Sequence, residues 1–202
     1  MIKRMYIFRH GETEYNRMKM MQGRSIDSVL NDNGHLQVNR FFDYYKDIPF
    51  DVVYSSELKR SIQSILKFKE LNIPHIIDPR ITEVSWGINE GKFLDDEVME
   101  RFRIMIYEWK KGNHDYSIPG GESANSLKSR IESFIADIKE SKQKNILVNT
   151  HGRALRMLIA RMLGEPVEAM EKYEHHNTGM YLMEYDGYGF TMLKENDTTH
   201  LN

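Results

Sequence analysis

The stretch Met5-Tyr6-Ile7-Phe8-Arg9-His10-Gly11 decides the fold class. An apolar run this short, closed by glycine, reads as a buried strand. Three further short apolar runs follow, one closed by glycine and two by other turn residues, the run at His75 being the weakest. Ile146-Leu147-Val148 closes on Asn149-Thr150-His151-Gly152, Asp51-Val52-Val53-Tyr54 on Ser55-Ser56, and His75-Ile76-Ile77 on Asp78-Pro79. Helical patterns lie between these runs. Leu36, Phe41, Phe42 and Tyr45 give one apolar face after Asn31-Asp32-Asn33-Gly34, and Leu58, Ile62, Ile65 and Leu66 give another. Val98, Phe102, Ile106 and Trp109 recur at three and four residues, as do Leu127, Ile131, Phe134, Ile135 and Ile138. Leu155, Leu158, Ile159 and Met162 follow the second His-Gly, and a terminal hairpin spans Met180 to Leu193 around Asp186-Gly187-Tyr188-Gly189. Strands alternating with helices predict an α/β sandwich around a largely parallel sheet. Ligands bind such sheets outside the carboxyl ends of the strands, where both His-Gly pairs fall. Residues 88–119 lack a clear strand and read as a helical excursion roofing the site.

Composition narrows the chemistry. The 202 residues suit one domain. Lys+Arg is 28 against 30 Asp+Glu, a net charge of -2, which gives no electrostatic footprint for nucleic acid or an anionic membrane. No run approaches the roughly 20 apolar residues of a membrane span, and the first residues lack an apolar stretch of signal-peptide length. The cysteine count is zero, which removes disulfides, thiolate metal sites and a cysteine nucleophile and fits a reducing cytoplasm. Catalysis then falls to His, carboxylates, hydroxyls, Lys or Arg.

Arg9 offers a fixed fork of donors for phosphate or carboxylate. His10 offers a ring nitrogen for attack or proton transfer. Gly11 lets the backbone approach an anion, and Asn16 adds an amide donor. His151 leaves a second strand at the same edge, and Arg60 lies just past the end of a third. Adjacent strands lie about 4.8 Å apart, so the two imidazoles can face one pocket. Two His and two Arg at one edge suit a dianionic phosphate, with one imidazole to attack and one to stabilise equatorial oxygens. Expulsion of an alcohol needs a proton donor, and Glu83 is the best-placed carboxylate.

Arg9-His10-Gly11-Glu12-Thr13-x-x-Asn16, Gln22-Gly23, Ser56-x-Leu58-x-Arg60, Glu83 and His151-Gly152 occur in this order. Together they resemble the histidine phosphatase superfamily, also called the phosphoglycerate mutase-like family, from about Met5 to Leu193. The resemblance implies a three-layer α/β/α sandwich with a mixed, mostly parallel sheet, as one catalytic domain over residues 1–202. It also implies that His10 becomes phosphohistidine, that Arg9, Arg60 and His151 bind the phosphoryl group with Asn16 assisting, and that Glu83 is proton donor and later base. Gln22, Gly23, Glu122 and Ser123 fall where the family borders its substrate. The expected partner is a small-molecule phosphomonoester, with no metal and no cofactor.

Some residues depart from the family pattern. Met20, preceded by Lys19, stands where similar members carry Arg, and Asp27-Ser28-Val29-Leu30-Asn31 replaces an Asp-x-Pro-Leu-Thr stretch. The chain is shorter than typical cofactor-dependent phosphoglycerate mutases and lacks their Glu-Arg-x-Tyr-Gly sequence. Both points favour hydrolysis over the alternative of phosphoglycerate mutase-type transfer between hydroxyls, and the presence of both His, both Arg and a candidate acid argues against the other alternative, a non-catalytic phosphate-binding module. His175-His176 reads as structural or surface, because neighbours on a strand point to opposite faces. His10, Glu12 and His151 lack the spacing of a zinc motif.

Overall fold

The computed structural model describes residues 2–202. Alternation along β1 (Lys3–Arg9) sorts its side chains between two apolar clusters, Met5 and Ile7 in one, Tyr6 and Phe8 in the other. The strands β2 (Val52–Ser55), β3 (His75–Ile77), β4 (Asn145–Thr150), β5 (Met180–Tyr185) and β6 (Phe190–Asp197) join it in one sheet of order β3-β2-β4-β1-β5-β6. β3, β2, β4 and β1 are mutually parallel, and β5 runs antiparallel to both β1 and β6. The sheet is therefore mixed and mostly parallel.

After a short first helix, α1 (Glu14–Arg17), two helices cover one face: α2 (Asp32–Tyr45) and α3 (Lys59–Glu70). Phe41 and Tyr45 of α2 and Ile65 and Phe68 of α3 meet Tyr6, Phe8, Val53 and Leu147 there. Phe8 and Phe41 stack with centroids 3.9 Å apart. The excursion expected at 88–119 contains α4 (Asp96–Lys110), capped by Asp95, whose side chain accepts from Val98 N. On the opposite face α5 (Ala124–Glu140) and α6 (Gly152–Met162) present Leu127, Ile131, Phe134, Leu155, Leu158 and Ile159 to Met5, Ile7, Ile146 and Val148. Two apolar faces on one sheet explain the three layers.

Two helical faces differ from the sequence reading. Leu36 is 61% exposed and Leu66 is 45% exposed. The buried stripe of α2 runs through Val38, Phe41 and Tyr45, at spacings of three and four, and Leu36 lies off it. In α3 the stripe is Ser61, Ser64, Ile65 and Phe68, which admits small hydroxyls against the sheet and turns Leu66 outward.

The start of α2 is clamped to the loop that follows His10. Asn31 caps α2, its side chain accepting from Gly34 N, while its own N–H donates to Glu12 O at 3.0 Å. A Cβ on Gly34 would fall 2.1 Å from Glu12 O, and one on Gly11 would fall 2.7 Å from Gly34 O. Neither neighbour is a flexible side chain, so the backbone itself must shift. Gly34→Ala is expected to lower stability by about 2–3 kcal/mol, read as a lower urea midpoint; an unchanged midpoint contradicts this packing.

Candidate active site

β1 and β4 deliver the two histidines. Arg9 pairs with Thr150 in the parallel ladder, and His10 N donates to Thr150 O at 3.0 Å. His10 and His151 are therefore the first residues beyond adjacent strand ends, and their ring centroids lie 5.1 Å apart. Both are buried. The ring Nδ1 of His10 lies 2.7 Å from Gly11 O, an acceptor, so Nδ1 carries the proton and Nε2 keeps its lone pair. Burial, with the charges of Arg60 and Arg9, holds His10 well below the ordinary imidazole range. His151 is lowered in the same way, by burial first and then by Arg60. Arg60 Nε donates to His151 Nδ1 at 3.2 Å, which places the His151 proton on Nε2, 2.7 Å from Ser56 Oγ.

Arg9 and Arg60 carry the positive charge. Among the described residues neither has a carboxylate within ion-pair distance. Arg60 is fully buried in the first turn of α3, donating to Gly23 O at 3.2 Å and also to Ile26 O. Arg9 donates through Nη1 to His175 O at 2.9 Å, while its Nε is buried with no hydrogen-bond partner among the described residues. Burial pushes both guanidinium groups down to about 10, so both remain cationic at neutral pH. A buried cation without a counter-ion is energetically costly and is stabilised by an incoming anion.

Glu83 follows β3 and a short 3-10 turn (Pro79–Ile81). It is buried, unlike an ordinary loop carboxylate. Its carboxylate accepts from Val84 N at 2.9 Å and from Arg153 N and Ala154 N at 3.1 Å. The last two are free N–H groups in the first turn of α6, so a helix N-terminus holds the acid.

A cavity of about 420 Å³ opens at this edge. Arg9, His10, Asn16, Gln22 and Glu83 line it, together with Tyr15. Gln22 Oε1 accepts from Thr13 Oγ1 at 2.9 Å and Ser28 Oγ at 2.8 Å, which fixes the amide. Arg60 and His151 are not among the lining side chains; Arg60 backs His151. Glu122 and Ser123 lie off the lining as well. Glu122 is held by Arg130 at 2.8 Å, and Ser123 caps α5 by accepting from Ser126 N.

Three further residues join the cavity. His175 and Asn177 stand in the loop before β5, not on a strand, so the expected opposed orientation of His175 and His176 has no basis in the backbone. Asn177 Nδ2 donates to His10 O at 2.9 Å, and the Arg9 guanidinium lies 3.3 Å from His175 Nδ1. Burial, with Arg9 second, pushes His175 down to about 3. Arg153 also lines the cavity and pairs with Glu171. No local pattern marks these residues, because β5 brings the 175–177 loop beside β1 only through sheet pairing.

A neutral imidazole with a free ring nitrogen, two guanidinium groups without carboxylate partners and a helix-held carboxylate suit an α/β enzyme that handles phosphoryl groups. Sequence comparison agrees. A family model described as histidine phosphatase superfamily (branch 1) matches residues 5–198, and the chain belongs to that superfamily. It is thereby a phosphomonoesterase-class enzyme, with mutases among its relatives. The adenosylcobalamin/alpha-ribazole phosphatase of Escherichia coli is 31% identical over 173 residues, covering 83% of this chain and 82% of the relative. Phosphoserine phosphatase 1 of Hydrogenobacter thermophilus is 27% identical over 200 residues, covering 98% and 94%. The solved structure of Bacillus stearothermophilus YhfR superposes with a TM-score of 0.86 at 25% identity, covering 99% of this chain and 100% of that one.

Proposed function

We propose that the chain hydrolyses a small phosphorylated metabolite through a covalent phosphohistidine on His10. The observation that carries this reading is a pair of cations without a carboxylate partner, Arg60 buried and Arg9 half-buried at the cavity, beside a ring whose Nε2 lone pair is free. A phosphate dianion entering the cavity meets Arg9 directly and supplies the missing counter-charge, while Arg60 adds its charge from behind His151. His10 Nε2 attacks phosphorus in line, the P–O bond to the alcohol breaks, and Glu83 gives its proton to the departing oxygen. Water then attacks the phosphohistidine, Glu83 takes the water proton, and the P–N bond breaks to restore the ring. Gly11 O holds the Nδ1 proton throughout, so the tautomer is set before substrate arrives. Arg60 fixes the His151 ring, and His151 Nε2–H can exchange Ser56 Oγ for a phosphoryl oxygen. Asn16 and Gln22 supply neutral amides. The absence of cysteine supports a reducing, cytoplasmic setting.

Glu83→Gln tests the proton-donor step. It is expected to lower kcat/KM, which reports formation of the phosphohistidine and not its hydrolysis, by about 10²–10⁴-fold for an alkyl phosphate. With p-nitrophenyl phosphate, whose leaving group needs little protonation, the loss should be much smaller. Equal losses on both substrates would leave Glu83 a role in binding only.

A further inference from the structure

The lining of the cavity divides by origin. The strand ends, α1 with the loop after it, Glu83 and the start of α6 bring the polar groups described above. The other wall is apolar: Met20, Trp86, Leu94, Met99 and Phe102. The segments around Met20 and Leu94 are tied side by side, Met21 N donating to Lys92 O at 2.8 Å and Leu94 N to Lys19 O at 3.0 Å. Trp86 and Phe102 pack with ring centroids 5.6 Å apart. Met99 and Phe102 are half-buried and Leu94 is 42% exposed, so the chain leaves apolar surface open next to the nucleophile.

Of the two cations on this side, one is paired and the other faces solvent. The Arg153 guanidinium lies 5.3 Å from the Phe102 centroid and 5.7 Å from the Trp86 centroid, and its charge is paired with Glu171. Lys19 is exposed, where solvent screens it. Glu12 also lines the cavity, so a substrate carboxylate would meet a like charge. About 420 Å³ lies within the range of pockets that enclose organic ligands.

We propose that this wall receives the alcohol portion of the substrate, and that the preferred substrate is a phosphomonoester of an extended apolar alcohol, alkyl or aryl. The proposal rests on the phosphatase reading above. Methionine suits the role, because its thioether adapts to varied shapes and contacts aromatic rings favourably.

The test is kcat/KM for ethyl, butyl and hexyl phosphate, with O-phosphoserine and 3-phosphoglycerate as carboxylated compounds and p-nitrophenyl phosphate as a reactive control. The n-alkanols are similar leaving groups, so the slope along the series isolates burial of the chain. Each buried methylene is expected to raise kcat/KM about fourfold, and hexyl phosphate should exceed ethyl phosphate by on the order of 100-fold on that basis. The carboxylated compounds should fall at or below ethyl phosphate. Phe102→Ala and Met99→Asp should each shrink the hexyl-to-ethyl ratio by roughly tenfold or more. That ratio does not depend on the fraction of variant that is folded. Hydrolysis with a flat slope, or a preference for O-phosphoserine, overturns the apolar-substrate proposal and leaves the phosphatase reading standing. No hydrolysis of any compound, the control included, overturns both.

Discussion

His10→Ala is expected to reduce hydrolysis of p-nitrophenyl phosphate by about ten-thousandfold or more, the scale seen when a covalent nucleophile is removed. The loss follows from Nε2 being the ring nitrogen that keeps a free lone pair, since Nδ1 carries the proton and donates it to Gly11 O. The ring's other nitrogen bonds the carbonyl of the next residue, so the substitution breaks no long-range tie. The folded chain should persist, checked by an unfolding transition near that of the parent. Rapid acid quench of the parent enzyme during turnover should trap an acid-labile phosphoenzyme, absent from the variant. Full activity in His10→Ala, or an undiminished phosphoenzyme, would sink the mechanism. Activity of the parent should survive EDTA, because every step above uses side chains alone; a chelator-sensitive enzyme would argue for a metal-assisted route.

The same burial makes the fold acid-sensitive. His10, His151 and His175 are all held below the ordinary imidazole range, His175 to about 3, chiefly by burial. In the unfolded chain they regain a pKa near 6.5. Below that pH the unfolded state binds protons that the folded state refuses, so stability falls as pH falls. The contribution is fully present above about pH 7, and the loss continues down to the folded value, about 3 for His175. At pH 5 the loss is roughly 2 kcal/mol for each histidine that stays neutral in the fold. Three such groups reach the scale of an entire domain stability of about 5–15 kcal/mol. The lowered carboxylates, such as Asp197 at about 2, add their own loss only at lower pH. Urea midpoints should therefore drop sharply between pH 7 and pH 5, and His175→Gln should flatten part of that slope. A midpoint that holds or rises on acidification would show that these rings titrate normally.

The parts legible in the sequence are those set by neighbours along the chain. Apolar runs closed by Gly mark β1 and β4, because burial and turn chemistry act within a few residues. The terminal hairpin and the cores of α5 and α6 were equally readable, since periodicity records which side chains face the sheet. Leu36 and Leu66 misled, because an apolar residue on a helix is not obliged to be inside. Glu83 could be named as a carboxylate, but its burial at the α6 N-terminus could not.

By itself, then, the sequence determined a mostly parallel α/β sheet and placed Arg9, His10 and His151 at one edge of it, since strand ends and their residues are local facts. Only the tertiary structure decided which groups complete that edge. His175 meets Arg9 across 166 positions because β5 pairs with β1, Arg60 backs His151 across 91 positions, and Met20, Trp86 and Phe102 become one wall because separate segments pack together. These contacts depend on strand pairing and packing between distant segments, which no window of neighbouring residues contains.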